Sequence, residues 1–149
     1  MVDEAAYRLA QAPATALPCI FQGALQARQA ECELAKKKAL AEREELVCAQ
    51  ATAHINCETL ERLFYERATF PLHLHPHTPL THATVQRLQC GGLRGLQTAL
   101  NESRADVHQM VLQAQAEHGS LTNLPWEQIV HAIVSWKPRK RSPTRPDKP

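Results

Sequence analysis

The sequence has few aromatic residues, few glycines and no long apolar run. Only seven of its 149 residues are Phe, Trp or Tyr, and only five are Gly. A surface that stacks bases between aromatic and basic side chains is therefore difficult to build, and no phosphate-binding glycine motif is present. No segment approaches the ~20 apolar residues that a membrane-spanning helix needs, so we expect no membrane partner.

The N-terminus also lacks the basic start and apolar stretch of a signal peptide, since it reads Met-Val-Asp-Glu. We therefore expect a cytoplasmic protein. In a reducing cytoplasm, five cysteines are expected as thiols or metal ligands rather than disulfides. The odd number of cysteines also argues against a closed disulfide framework.

Apolar residues make up 44% of the chain and charged residues 21%, which is typical of a globular protein. Long stretches rich in Ala, Gln, Glu, Lys and Leu favour helix over strand. We predict an all-α protein, an irregular bundle of five or six helices, in one domain over residues 1–136. Residues 137–149 form a basic, proline-rich tail with too few apolar residues to fold. The tail has a net charge of +5, which leaves −3 on the rest of the chain because the whole has +2.

Several helix boundaries follow from capping residues and prolines. Residues 21–47 are rich in helix formers and predict a long helix, either unbroken or folded back near Lys37. Asn56 and Thr78 are predicted to cap the next two helices. An apolar stripe from Leu93 to Ala114 predicts an amphipathic helix, and residues 125–136 predict the last one.

Four cysteines fall at these predicted helix ends: Cys19, Cys48, Cys57 and Cys90. A helix N-terminus stabilises a thiolate, which favours metal binding or reactivity, and Cys57 directly after Asn56 is the clearest case. The fifth, Cys32, lies within the predicted long helix and is expected to serve packing.

The course of residues 21–47 decides which ligand set is expected. An unbroken helix would hold its ends roughly 40 Å apart and exclude Cys19. Cys48, His54, Cys57 and Cys90 would then form a Cys₃His zinc site. If the helix folds back, Cys19 replaces His54 and four cysteines suit an iron–sulfur cluster. Two alternatives remain: buried cysteines that act as small hydrophobic residues, and redox-active thiols.

A row of alternating histidines is the second candidate metal site. In an extended chain His73, His75 and His77 share one face, as alternate residues do, and could hold zinc, nickel or copper. The alternative is an exposed polar loop that Leu72 and Leu74 attach to the body.

No set of residues specifies a catalytic mechanism, and we expect that the protein is not an enzyme. Cys57 and His54 have the helical i, i+3 spacing of a thiolate–imidazole pair, but no orienting partner or oxyanion hole can be identified.

Two functions follow from these patterns. The first is a helical metalloprotein with an accessory or regulatory role, which binds zinc or an iron–sulfur cluster. The second is a metal-free module that binds another protein through the Leu93–Ala114 stripe or the last helix. In the second case Arg139, Lys140 and Arg141 of the tail could add a weak contact to nucleic acid through charge alone.

Overall fold

The computed structural model describes residues 17–40 and 43–138, which are mostly helical with one two-stranded sheet. A short helix, α1 (Gln22–Gln26), precedes an antiparallel hairpin of β1 (Ala35–Leu40) and β2 (Arg43–Cys48). The longest helix, α2 (Ala51–Ala68), follows directly.

The second half of the described chain is entirely helices and loops. One nearly continuous helical stretch consists of α3 (His82–Gln86), a π-helical turn (Arg87–Gly91) and α4 (Gly92–Leu100). After a loop come α5 (Val107–His118), a 3-10 turn (Leu121–Asn123) and α6 (Trp126–Ser135). No helix of the described ranges is both long and apolar enough to span a bilayer.

The prediction of helix over residues 21–47 is wrong, whether as one helix or as two. Among the described residues of this segment only α1 is helical, and the hairpin pairs Ala35 with Cys48 and Lys36 with Val47. The segment has helix-forming composition but few large apolar residues, so a helix would bury little. As a hairpin it buries Val47 and Cys48 against the body and leaves Lys36 in solvent.

The core lies between α2, α4, α5 and α6. Phe64 is fully buried at its centre, with its ring 6.0 Å from that of Phe21 and 5.9 Å from that of Trp126. Helices α4 and α6 pack closely because Gly95 faces α6, where an added Cβ would lie 2.9 Å from Ile129 Cα. Such close contact between helices is typical of a well-packed protein interior.

The predicted apolar stripe is confirmed as a buried face, but it belongs to two helices. Asn101 has a left-handed backbone (φ 59°) and ends α4, and Asp106 caps α5 by accepting from Gln109 N at 3.1 Å. The stripe residues are all buried: Leu93, Leu96, Leu100, Val107, Val111 and Ala114. One of the two docking faces that the interaction-module hypothesis named is thus part of the core.

Two helices also begin at residues other than those predicted. Helix α2 begins at Ala51, before the expected cap Asn56, so Cys57 lies inside a helix rather than at its N-terminus. Helix α3 begins after Thr81, whose hydroxyl accepts from Thr84 N at 3.1 Å, rather than after Thr78. The last helix agrees with its prediction and buries Trp126, Ile129 and Ile133.

Candidate functional site: a four-cysteine pocket

Four of the five cysteines line a single pocket between the hairpin, α1, α2 and the start of α5. They are Cys19, Cys32, Cys48 and Cys57. His54 and His108 also line it, and the remaining wall is apolar: Ile20, Phe21, Leu25, Ala35, Ala53, Val107 and Val111. The open space at its centre is about 20 Å³, enough for one water-sized group. We refer to this feature as the cysteine pocket.

Cys19 and Cys48 meet because the chain before α1 runs beside the hairpin. Cys48 N donates to the Leu17 carbonyl at 2.7 Å, and Cys19 N donates to the Leu46 carbonyl at 2.9 Å. The segment thus forms a single antiparallel bridge with β2, between Pro18 and Val47. The Cys48 thiol itself donates to the Gln50 carbonyl at 3.2 Å.

Cys32 is placed by the loop between α1 and β1, which Asp106 fastens to the start of α5. Glu31 N donates to the Ala105 carbonyl at 2.9 Å, and Glu33 N donates to Asp106 Oδ2 at 3.1 Å. Asp106 is only 6% exposed and uses its other oxygen as the α5 cap. One buried carboxylate therefore positions both the Cys32 loop and the helix behind it.

Helix α2 supplies Cys57 and His54. Ala53 and Cys57 are four residues apart, so both lie on the helix face that closes the pocket. His54 Nε2 lies 3.0 Å from the Pro18 carbonyl, which accepts a hydrogen bond from it. In this position His54 holds the Cys19 segment against α2.

Burial makes these thiols reluctant to ionise. It raises the pKa of Cys19 to about 11, and nearby Cys32 and Cys48 add to the effect by repulsion between thiolates. Burial also raises the pKa of Cys57 well above its usual range, again with a contribution from the other three cysteines. The pKa of Cys32 is raised mainly by burial too. A bound cation would remove this mutual repulsion.

Only part of the predicted ligand set lines this pocket. Cys19, Cys48, Cys57 and His54 do line one pocket, whereas Cys90 does not. Cys90 lies in the π-helical turn, 2% exposed within the apolar core, and the structure does not bring it to this pocket. Cys32, assigned to packing, takes its place. The sequence positions already set Cys90 apart, since the other four of the five cysteines fall within the first 57 residues.

The helix-terminus argument for thiolate stabilisation is also wrong in the case of Cys57. Its position inside α2 deprives it of free backbone N–H groups, and burial raises its pKa instead of lowering it. Within the described ranges, no three His, Cys, Asp or Glu side chains are grouped so as to hold a metal ion as they stand.

The histidine row does not form an extended strand. His73 has a left-handed backbone (φ 56°), and the chain turns again at Pro76 and His77. His73, His75 and His77 are all exposed. The alternation that would align three imidazoles is therefore lost. The tail residues Arg139, Lys140 and Arg141 lie outside the described residues.

Comparison with known proteins assigns this fold and pocket to no class. The chain matches no protein-family model, no curated protein and no solved structure.

Proposed function

We propose that this chain is an iron–sulfur protein whose cluster is held by Cys19, Cys32, Cys48 and Cys57. The observation that carries the proposal is that these four side chains, from four separate parts of the chain, line one pocket. Four cysteines are the usual ligand set of [2Fe–2S] and [4Fe–4S] clusters.

The walls of the pocket favour a cluster. Apart from the thiols and two histidines they are apolar, and an apolar shell limits water access and tunes a cluster's reduction potential. Cys19, Cys32 and Cys57 are each partly exposed, so the pocket lies near the surface. We propose the role of an accessory electron carrier. It would accept one electron from a donor protein and pass that electron to an acceptor.

Zinc is the second candidate, and the small size of the cavity favours it. About 20 Å³ would accept one ion, and a cluster would require the thiols to turn outward. The side chains would have to move for zinc as well, because no three of them are grouped for one ion at present. A cluster needs less convergence, since several iron atoms lie between its sulfur ligands.

Anaerobic reconstitution tests the proposal directly. The full chain is incubated with ferrous iron, sulfide and dithiothreitol, desalted, and measured by visible absorption and by electron paramagnetic resonance after dithionite reduction. We expect charge-transfer absorption and matching amounts of iron and sulfide. A chain that retains neither contradicts the proposal.

A matched pair of variants assigns the ligands. Cys32→Ser is expected to lose most of the bound iron and Cys90→Ser to keep it, although both remove one thiol. Retention by Cys32→Ser together with loss by Cys90→Ser would overturn the ligand set. Cobalt substitution separates the two candidates, because a tetrahedral four-thiolate Co²⁺ spectrum with no uptake of iron and sulfide identifies a zinc-type site.

A further inference from the structure

A cationic groove lies on another face of the molecule, where the end of α6 meets α4 and the residues after α1. Its charged members are Arg28, Arg94 and Lys137, and Trp136 forms one wall. Gln29, Ala132 and Ser135 complete it. Among the described residues, no acidic side chain lines this groove or the adjoining one, in which Trp136 and Lys137 are joined by Arg87.

The three cations of the groove are available for an external ligand. Arg28, Arg94 and Lys137 are exposed and form no ion pair with any described residue. Arg87, by contrast, donates to the Val134 carbonyl at 2.8 Å and serves the C-terminus of α6. Three positive charges with no acidic side chain among the described lining residues form a local anion-attracting surface.

Trp136 adds an aromatic face to these charges. It is partly exposed, and its Cβ lies 3.0 Å from the Cβ position of Gly91, so a side chain at Gly91 would displace it. The backbone of the π-helical turn therefore anchors the Trp at the edge of the groove. Proteins that bind single-stranded nucleic acid combine an aromatic side chain, on which a base stacks, with Arg and Lys side chains that contact the phosphates.

We propose that this cationic groove binds single-stranded nucleic acid, with phosphates on Arg28, Arg94 and Lys137 and a base on Trp136. The count of only seven aromatics argued against such a surface, but the fold brings one of them together with cations from three regions. The sequence that follows Lys137 is also rich in Arg and Lys.

A protein partner fits the groove less well. Trp and Arg are common in protein interfaces too, but the core of such an interface is depleted of charged residues, whereas three of the seven described lining residues of this groove are cations. The proposal is independent of the cysteine pocket, because it requires no metal and its residues line a different face.

Tryptophan fluorescence provides the test, since the two Trp residues differ. Trp126 is 8% exposed with its ring N–H bonded to the Thr122 carbonyl, so quenching by an added ligand reports Trp136. The full chain is titrated with a 20-nucleotide oligo-dT at low salt, and we expect saturable quenching. Absence of both quenching and binding would overturn the proposal.

Charge variants assign the binding surface. Arg28→Ser with Arg94→Ser is expected to weaken binding at least tenfold and to lower the salt slope by about 1.4, at about 0.7 for each single-strand phosphate contact. Arg62→Ser, an exposed Arg away from the groove, is the control and should bind as the unaltered chain does. Equal weakening by the control, or equal quenching by poly-glutamate, would show non-specific attraction of polyanions and contradict the proposal.

Discussion

The cysteine pocket and the helical core are buried in different ways. The core around Phe64 is filled by aromatic and aliphatic side chains that touch across close helix contacts. The pocket is instead held by backbone hydrogen bonds between loops, strand and helix, and four of its thirteen lining residues are cysteines. Burial of the core side chains thus accounts for the stability of the fold, whereas the clustering of thiols in the pocket needs a separate explanation.

The difference indicates where a ligand would contribute to stability. Thiols that are crowded together and partly removed from water stabilise one another little. A cation bound by all of them would stabilise the pocket strongly. We expect the core to be stable without metal and the pocket to become rigid on metal binding. The predictions below test this division between the two regions.

The largest effect is expected in the core. Phe64→Ala removes a fully buried ring that contacts Phe21 and Trp126, and should lower the free energy of unfolding by about 3–5 kcal/mol. Urea denaturation followed by circular dichroism measures it. A loss as small as that of a surface substitution would show that Phe64 is not at the centre of the core.

Asp106 links the two regions and should have an intermediate effect. Asp106→Ala removes the α5 cap and the acceptor of Glu33 N, at a cost of about 1–3 kcal/mol. It should also reduce iron uptake, because the Cys32 loop loses its anchor. Asp106→Asn retains one acceptor oxygen and should recover part of both losses; no recovery would argue against the positioning role.

The metal-free protein should lose stability in alkaline solution. The pKa of Cys19 is about 11 in the fold and near 9.0 when exposed, so the folded chain holds its proton over a range where the unfolded chain releases it. This contribution is complete below about pH 9.0, the pKa of the exposed thiol, and is lost as the pH rises towards 11. Denaturant midpoints between pH 7 and 10.5 should fall, and less steeply in Cys19→Ser.

The smallest effect is expected at a surface ion pair. Arg62 and Glu66 lie 3.4 Å apart on α2, with side chains 60% and 52% exposed. Such pairs contribute below about 1 kcal/mol, so Arg62→Ala should leave the urea midpoint almost unchanged. A loss comparable to that of Asp106→Ala would mean that stability is not concentrated in the core.

The helical core could be predicted from the sequence because its pattern is strong. The spacing of Leu93, Leu96 and Leu100 and of Trp126, Ile129 and Ile133 indicates buried helix faces, and both are confirmed. The division of the first stripe into two helices depends on Asn101 and Asp106, whose capping roles are apparent only when the loop is seen.

The hairpin could not be predicted, and this error carried over to the site. Its residues have helical propensity, and the strands are stabilised by tertiary contacts, such as the pairing of Leu17 and Cys19 with β2, that local composition does not encode. Because Cys32 was placed in a helix, it was excluded from the ligand set. The wrong starting point of α2 likewise gave Cys57 a helix terminus that it does not have.

The sharpest test of the iron–sulfur proposal is metal and sulfide analysis of the full chain, purified without oxygen and without reconstitution. We expect iron and acid-labile sulfide in matching amounts, bound by the unaltered chain and by Cys90→Ser but not by Cys32→Ser. A chain that carries no metal, or one that carries zinc without sulfide, would contradict it.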